Sequence, residues 1–391
     1  MVEKEKSKKK FLLLNGSSKK VLERFPSNTF HTVVTSPPYW QLRDYFVDGQ
    51  LGNEATPEEY VENLVDILRE VKRTLRKDGN LWLNLGDGYN NSSGFCRARK
   101  KWKREGRTGG SADKKVFRHD HIKQKDLIGI PWAVAFALQK DGWYLRCDII
   151  YSKTNPMPDG AKDRPTRSHE YIFLLSKSHK YFYDYYAVLE DTESKPKGTQ
   201  GFGANNQEGT FRMDQNRIFE HYGKRNKRSV WTTSVSSFKG KHFATFPQDL
   251  INPCVCASTS EKGCCVKCGT PWVRDFEKIE VPIDRTTGKR HTEIVDIINF
   301  ADIKQEYDLQ LIFKGWNKSC DCDTEETKPC LVLDPFSGMA TTGLAAFKYN
   351  QHYVGIELNK EYLEMSRDRL MGEDTMSIEE ISTVEEILNA Y

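Results

Sequence analysis

The sequence predicts an α/β fold built on a mainly parallel sheet, and three observations carry that prediction. Short apolar runs alternate with helical patterns in the first part of the chain: Phe11 to Leu14, His31 to Val34 and Leu81 to Leu85 read as buried strands. Two strands end in turns rich in proline and small residues, Thr35-Ser36-Pro37-Pro38-Tyr39-Trp40 and Asp334-Pro335-Phe336-Ser337-Gly338. A third strand, Tyr353 to Glu357, ends in a carboxylate. Open α/β sheets place their ligands at the carboxyl ends of strands, where all three features fall.

Taken in order, residues 1–10 read as a basic arm, Phe11 to Leu14 as the first strand and Lys19 to Arg24 as a short helix. Pro57 to Leu75 is an amphipathic helix, because Tyr60, Leu64, Ile67, Leu68, Val71 and Leu75 recur at helical spacing. Thr56 is its N-cap and Pro57 its first residue. From Asn90 to Leu127 the pattern breaks, and cations from Arg97 to Lys125 dominate. A loop of that length and charge reads as a phosphate-contacting arm, with a solvated charged loop as the plain alternative. Pro131 to Gln139 is a helix, and Tyr144 to Tyr151 and Glu170 to Leu175 are strands. Leu189 to Lys241 is polar and irregular, mixing Arg212, Arg217, Lys224, Arg225, Lys227 and Arg228 with Phe211, Phe219, Tyr222 and Trp231. Such a mixture suits backbone and base-edge contacts to a nucleic acid. In the acidic tail, Ile378, Ile381, Val384, Ile387 and Leu388 suggest an amphipathic helix.

The chemistry-bearing residues follow from the turns. Two consecutive prolines, Pro37 and Pro38, fix φ and donate no N–H, so the turn from Ser36 presents carbonyl oxygens rigidly beside the Tyr39 ring. Acceptors beside a stacking platform suit an exocyclic amino group on a nucleobase. In the second turn, small residues let the backbone approach a ligand, and the helix opening at Thr341-Thr342-Gly343 offers free N–H groups. Glu357, at the end of the next strand, stands where an acidic side chain accepts from ribose hydroxyls in dinucleotide-type folds.

Ten cysteines without an export signal predict reduced thiols or metal ligands in an intracellular protein. No apolar run approaches the ~20 residues that cross a bilayer. Cys265-Val266-Lys267-Cys268-Gly269 is a knuckle, and Cys320-Asp321-Cys322 supplies a second pair. Four thiolates in two close pairs match a structural zinc site. Cys254, Cys256, Cys264 and Cys330 lie nearby in sequence, so other ligand sets stay open, as do free thiols.

With these motifs, the chain resembles the DNA amino-methyltransferases of the permuted (beta) class. The family's catalytic tetrapeptide matches Ser36 to Tyr39, and its cofactor pattern matches Asp334 to Thr342. The resemblance also covers the run from Thr56 to Tyr89, the stretch around His169 and the segment from Phe243 to Ile251. It implies a Rossmann-like S-adenosylmethionine-dependent methyltransferase sheet in circularly permuted motif order, with an inserted target-recognition region and a zinc-ribbon-like insertion. The implied organisation is a basic arm at 1–10, a catalytic half at 11–189 with the basic loop 90–126, a target-recognition region at 190–241, a linker and zinc insertion at 242–330, a cofactor half at 331–371 and an acidic tail at 372–391. Ser36, Pro37, Pro38 and Tyr39 are the implied catalytic residues. Asp334, Pro335, Phe336, Gly338, Thr341, Thr342 and Glu357 are the implied cofactor contacts.

Three positions depart from the family pattern: Ala340 replaces a usual second glycine, Ser17 follows Asn15-Gly16 where an acid is common, and Tyr151 replaces a usual tryptophan before Lys153. In the family, serine before the prolines goes mostly with the 4-amino group of cytosine and aspartate with the 6-amino group of adenine. Ser36 therefore implies N4-cytosine methylation of double-stranded DNA, with N6-adenine as the alternative. Carbon-5 chemistry would need a nucleophilic cysteine after proline; Pro253-Cys254 and Pro329-Cys330 do not follow strands as that mechanism requires. Methylation of protein glutamine or RNA, and a silent DNA-binding role, are the readings from other classes. The expected setting is the cytoplasm of a bacterium or archaeon, or a phage-encoded protein, as monomer or dimer, with a cognate restriction endonuclease as an optional partner.

Overall fold

The computed structural model describes residues 8–90, 119–191, 224–235, 246–283, 306–372 and 378–390. Its strands are β1 (Lys9–Asn15), β2 (Phe30–Thr35), β3 (Leu75–Leu85), β4 (Tyr144–Lys153), β5 (His169–Ser176), β6 (Glu190–Asp191), β7 (Lys224–Arg225), β8 (Val230–Thr233), β9 (Cys264–Cys265), β10 (Val273–Ile283), β11 (Glu306–Asn317), β12 (Thr327–Lys328), β13 (Leu331–Asp334), β14 (His352–Glu357) and β15 (Ile378–Glu380). Its α-helices are α1 (Ser18–Leu22), α2 (Pro57–Thr74), α3 (Ile130–Lys140), α4 (Gln248–Ser258), α5 (Thr341–Lys348), α6 (Lys360–Met371) and α7 (Val384–Asn389).

Nine strands form one sheet in the order β15-β1-β14-β13-β2-β3-β5-β4-β8. Pairing is parallel except around β5, which runs antiparallel to both β3 and β4. Alternation along each strand feeds two cores. Val33, Leu81, Leu83 and Leu333 meet α1, α2, α3 and α7 on one face. Val34, Trp82 and Val332 meet α4, α5 and α6 on the other. The result is three layers, as burying both faces of a mostly parallel sheet demands.

Helix α2 shows how local sequence sets this frame. Thr56 accepts from the Glu59 N–H while the Glu59 carboxylate accepts from the Thr56 N–H, a reciprocal capping box worth ~1 kcal/mol. Its buried stripe of Tyr60, Leu64, Leu68 and Val71 then lies on the sheet, each side chain contributing about 2 kcal/mol of transfer free energy.

Four sequence expectations change. The strand at Leu81 begins six residues earlier, at Leu75, because Leu75 already pairs with Phe30. Lys9 and Lys10 belong to β1 rather than to the arm, since they pair with Ile378 and Glu379. The tail is therefore no single helix: β15 joins the sheet edge, and α7 follows with Val384 and Ile387 buried in the first core. Segment 242–330 is likewise more than a linker, because α4 within it covers the sheet. Most of the basic loop (91–118), most of the target-recognition region (192–223 and 236–241) and residues 1–7 lie outside the described residues. Of the recognition region, β8 is a sheet strand whose Trp231 packs on Trp82 with centroids 6.0 Å apart. Among the described residues no helix is long and apolar enough to cross a membrane.

Candidate active site

Strands β2 and β13 are neighbours although about 300 residues separate them in the chain, with Val332 opposite Thr32 and Leu333 opposite Val33. Their carboxyl-end turns are therefore brought together. Thr35 Oγ1 donates to Asp334 Oδ1 at 2.6 Å, and Thr342 Oγ1 donates to Asp334 Oδ2 at 2.8 Å. The Phe336 N–H also reaches Asp334 Oδ1, at 3.1 Å. One buried carboxylate thus ties the residue before Ser36 to the turn and helix that follow β13. Pro335 is held from a third element, its carbonyl accepting from Ser18 Oγ at 2.5 Å.

The second turn bends tightly. Gly338 has φ +52° and Ala340 φ +53°, both in the left-handed region. Glycine takes that conformation without strain, whereas alanine costs about 1 kcal/mol or more there. Ala340 is fully buried at the start of α5, which over-determines its backbone. The Gly338 N–H donates to Glu357 Oε2 at 2.8 Å, and Asn359 N–H donates to Oε1 at 2.8 Å. Gly355 keeps this corner open, since a Cβ there would stand 2.7 Å from both Ser337 Oγ and the Tyr353 hydroxyl.

Burial is the largest influence on both carboxyls. It pushes Asp334 up to about 6 against the hydrogen bonds from Thr35, Thr342 and the Phe336 N–H. It pushes Glu357 up to about 7 against the N–H groups of Asn359 and Gly338. A carboxyl with a raised folded pKa binds its proton more tightly when folded. Its contribution to stability is complete below the unfolded value, about pH 4, and is lost as pH rises through the folded value. We therefore expect Glu357→Gln to match the parent melting temperature near pH 4 and exceed it above pH 7, read by calorimetry. An equal difference at both pH values would contradict the raised value.

On the other side of β2, Pro37 is buried while Ser36, Pro38 and Tyr39 are half-buried. The Tyr60 hydroxyl, from α2, donates to the Pro38 carbonyl at 2.9 Å and fixes the turn. Tyr39 lies against Gly86, where an added Cβ would meet its Cε2 at 2.5 Å. Its hydroxyl donates to Glu170 Oε2 at 2.8 Å and accepts from Asn84 Nδ2 at 2.8 Å. Glu170 Oε1 pairs with the Lys153 ammonium. Burial and the Glu170 charge hold the Tyr39 hydroxyl well above its usual pKa, so it remains a donor. Asn84, Lys153 and Glu170 were not singled out as site residues from the sequence. They sit on β3, β4 and β5, and only strand pairing brings them to Tyr39.

The four predicted cysteines also converge. The Sγ atoms of Cys265, Cys268, Cys320 and Cys322 all lie within 4.8 Å of one another. A tetrahedral zinc with ~2.3 Å bonds separates its sulfurs by ~3.8 Å, so this donor set fits. Gly269, at φ +70°, makes the knuckle turn, with its N–H donating to the Cys265 carbonyl at 2.8 Å. Two sheet residues grip the knuckle: His31 Nε2 bonds the Gly269 carbonyl at 2.8 Å and Arg76 the Cys268 carbonyl at 2.9 Å. Cys254, which the sequence left open as a ligand, belongs to the α4 core and not to this cluster. Cys264 and Cys330 group instead with His31, whose two ring nitrogens are already engaged by the Gly269 carbonyl and the Leu331 N–H.

The sequence pattern of the DNA methylase family matches residues 30–293 and 326–368. The chain is 37% identical over 366 residues to the Type II methyltransferase M.Cfr9I of Citrobacter freundii, covering 93% of this chain and 88% of that protein. It is 38% identical to the Type II methyltransferase M.XycI of Xanthomonas campestris pv. cyanopsidis, covering 93% and 88% respectively. For the Type II methyltransferase M.SmaI of Serratia marcescens the identity is 36%, covering 92% and 90%. In fold it is similar to the PvuII DNA methyltransferase (cytosine-N4-specific), with a TM-score of 0.51 at 15% identity over 98% of this chain and 93% of that one. A proline-stiffened turn and a glycine turn joined through Asp334, on a chain related over nearly its whole length to these enzymes, make this protein a member of the DNA methylase family.

Proposed function

We propose that the chain transfers a methyl group from S-adenosylmethionine to the exocyclic 4-amino group of cytosine in double-stranded DNA. The observation that supports this reading is the Thr35–Asp334 hydrogen bond, which joins the turn at Ser36 to the turn after β13. Ser36 before the two prolines favours cytosine, as the family resemblance implies, and the fold shared with a cytosine-N4-specific enzyme agrees with it.

The residues present fit the cofactor. Glu357 keeps acceptor capacity beyond its backbone partners, since a carboxylate offers about four lone-pair positions. It would hold the ribose hydroxyls, while the turn from Asp334 through Pro335, Phe336 and Gly338 to Thr341 and Thr342 would line the rest. When bound, S-adenosylmethionine supplies an electrophilic methyl on a sulfonium.

What the chain's own residues contribute is orientation. An aromatic amine is a weak nucleophile because its lone pair is delocalised into the ring. The Ser36 and Pro37 carbonyls, with the Ser36 hydroxyl, accept hydrogen bonds from the amino group and favour a more pyramidal nitrogen. Holding two reactants in line accounts for much of the rate gain. Extruding the base costs a few kcal/mol, and stacking on Tyr39 offsets ~1–3 kcal/mol. The basic segments at 90–126 and 190–241 would neutralise phosphates, making binding steeply salt-dependent. A structural zinc on Cys265, Cys268, Cys320 and Cys322 belongs to this proposal; a cognate restriction endonuclease is an optional partner that the proposal does not require.

Two experiments follow. Mass spectrometry of nucleosides from DNA incubated with the protein and S-adenosylmethionine should find 4-methylcytosine; 6-methyladenine alone would overturn the choice of base. Gly86→Ala should lower turnover about a hundredfold, because its Cβ displaces the Tyr39 ring and small misplacements at a reacting centre cost that much. Unchanged steady-state rates would show that the ring plane is unimportant.

A further inference from the structure

The carboxylate of Glu170 has three partners, and they come from different elements. It accepts from the Tyr39 hydroxyl at 2.8 Å, from Asn84 Nδ2 at 3.0 Å, and it pairs with Lys153. Glu170 pairs in register with Tyr151 on β4, and its neighbour Tyr171 pairs with Leu85 on β3. Both rails that hold the carboxylate are thus central sheet strands, not loops. Its side chain is only 17% exposed and that of Lys153 23%, so the pair is little screened by water.

The Tyr39 ring has two torsions, and neither is set by the proline turn alone. Gly86, just past the end of β3, lets one ring edge lie against its backbone, which restricts the turn of the ring about its long axis but leaves the tilt of that axis free. The hydroxyl sits on that axis and removes the remaining freedom, because an oxygen bonded to a carboxylate on one side and an amide on the other has a single favourable position. We propose that Glu170 is a positioning residue for methyl transfer: held by Lys153 and Asn84, its carboxylate sets the orientation of the Tyr39 platform on which the extruded base stacks. This role rests on the methyl-transfer reading above.

A double-mutant cycle in single-turnover methylation tests it. Tyr39→Phe keeps the ring and removes the hydroxyl; Glu170→Gln keeps the shape and removes the charge. Each is expected to slow transfer about tenfold with little change in DNA affinity, and the double variant is expected to be about tenfold slow as well, because both break one interaction. Glu170→Asp, which draws the charge back by one methylene, is expected to fall between the parent and Glu170→Gln and serves if the latter does not fold. A merely structural Glu170 would give losses that multiply to about a hundredfold in the double variant. Multiplying losses, or full-speed Glu170→Gln or Glu170→Asp, overturn the positioning role and leave methyl transfer standing. A parent chain that methylates no DNA overturns that reading and this role with it.

Discussion

Asp334→Ala is expected to abolish methylation and to destabilise the fold by about 2–4 kcal/mol, the sum of the donors it would leave without a partner. The Asp334 side chain is buried and accepts from Thr35, Thr342 and the Phe336 N–H. Thr342 Oγ1 has the Val34 carbonyl at 3.1 Å as an alternative, so its loss is partly made good. Among the described residues, Thr35 Oγ1 and the Phe336 N–H have only Asp334 as acceptor, and Thr35 is the residue that leads into Ser36. Asp334→Asn keeps one acceptor oxygen and can donate to Thr342, so it should fold near parental stability. Thermal melting together with single-turnover methylation separates the two effects. An Asp334→Ala variant that methylates at more than about a tenth of the parental rate would show that the bridge does not align the turns.

Metal removal is the second large effect. The purified chain is expected to carry one zinc, and Cys268→Ser with Cys322→Ser is expected to lose it. Structural zinc contributes on the order of 10 kcal/mol to local folding, comparable with the stability of a whole domain. The damage should reach the active site, because His31 lies on β2 and Arg76 on β3, and both grip the knuckle carbonyls. Chelation should therefore lower the melting temperature and the methylation rate together. Activity lost with an unchanged melting profile would point to a metal that acts in the chemistry instead.

Much of this site was legible in the sequence because its signals are local. The Thr56-Pro57 start of α2, the strand before Ser36 and the turn after Asp334 each announce themselves within a few residues. So did the four cysteines, since two close pairs need only be brought together once. The Asn84–Glu170–Lys153 set was missed for the opposite reason. Asn84 and Glu170 look like ordinary polar residues on their own strands, Lys153 stood out only as part of a family pattern with no partner named, and only the antiparallel insertion of β5 between β3 and β4 joins them to Tyr39. The edge strand β15 was missed because three residues carry no periodicity and its partner, β1, lies more than 300 positions away. In the tail, the spacing of Ile378, Ile381, Val384 and Ile387 satisfies a helix, yet the backbone switches from strand to helix while keeping all four buried.

Ultraviolet cross-linking of methyl-labelled S-adenosylmethionine, followed by peptide mapping, bears most directly on whether the two joined turns receive the cofactor and the base. Label is expected on peptides holding Ser36 to Tyr39 or Asp334 to Glu357, and Glu357→Ala should diminish it. Label confined to peptides remote from both turns would mean that donor and base do not meet where Thr35 and Asp334 join.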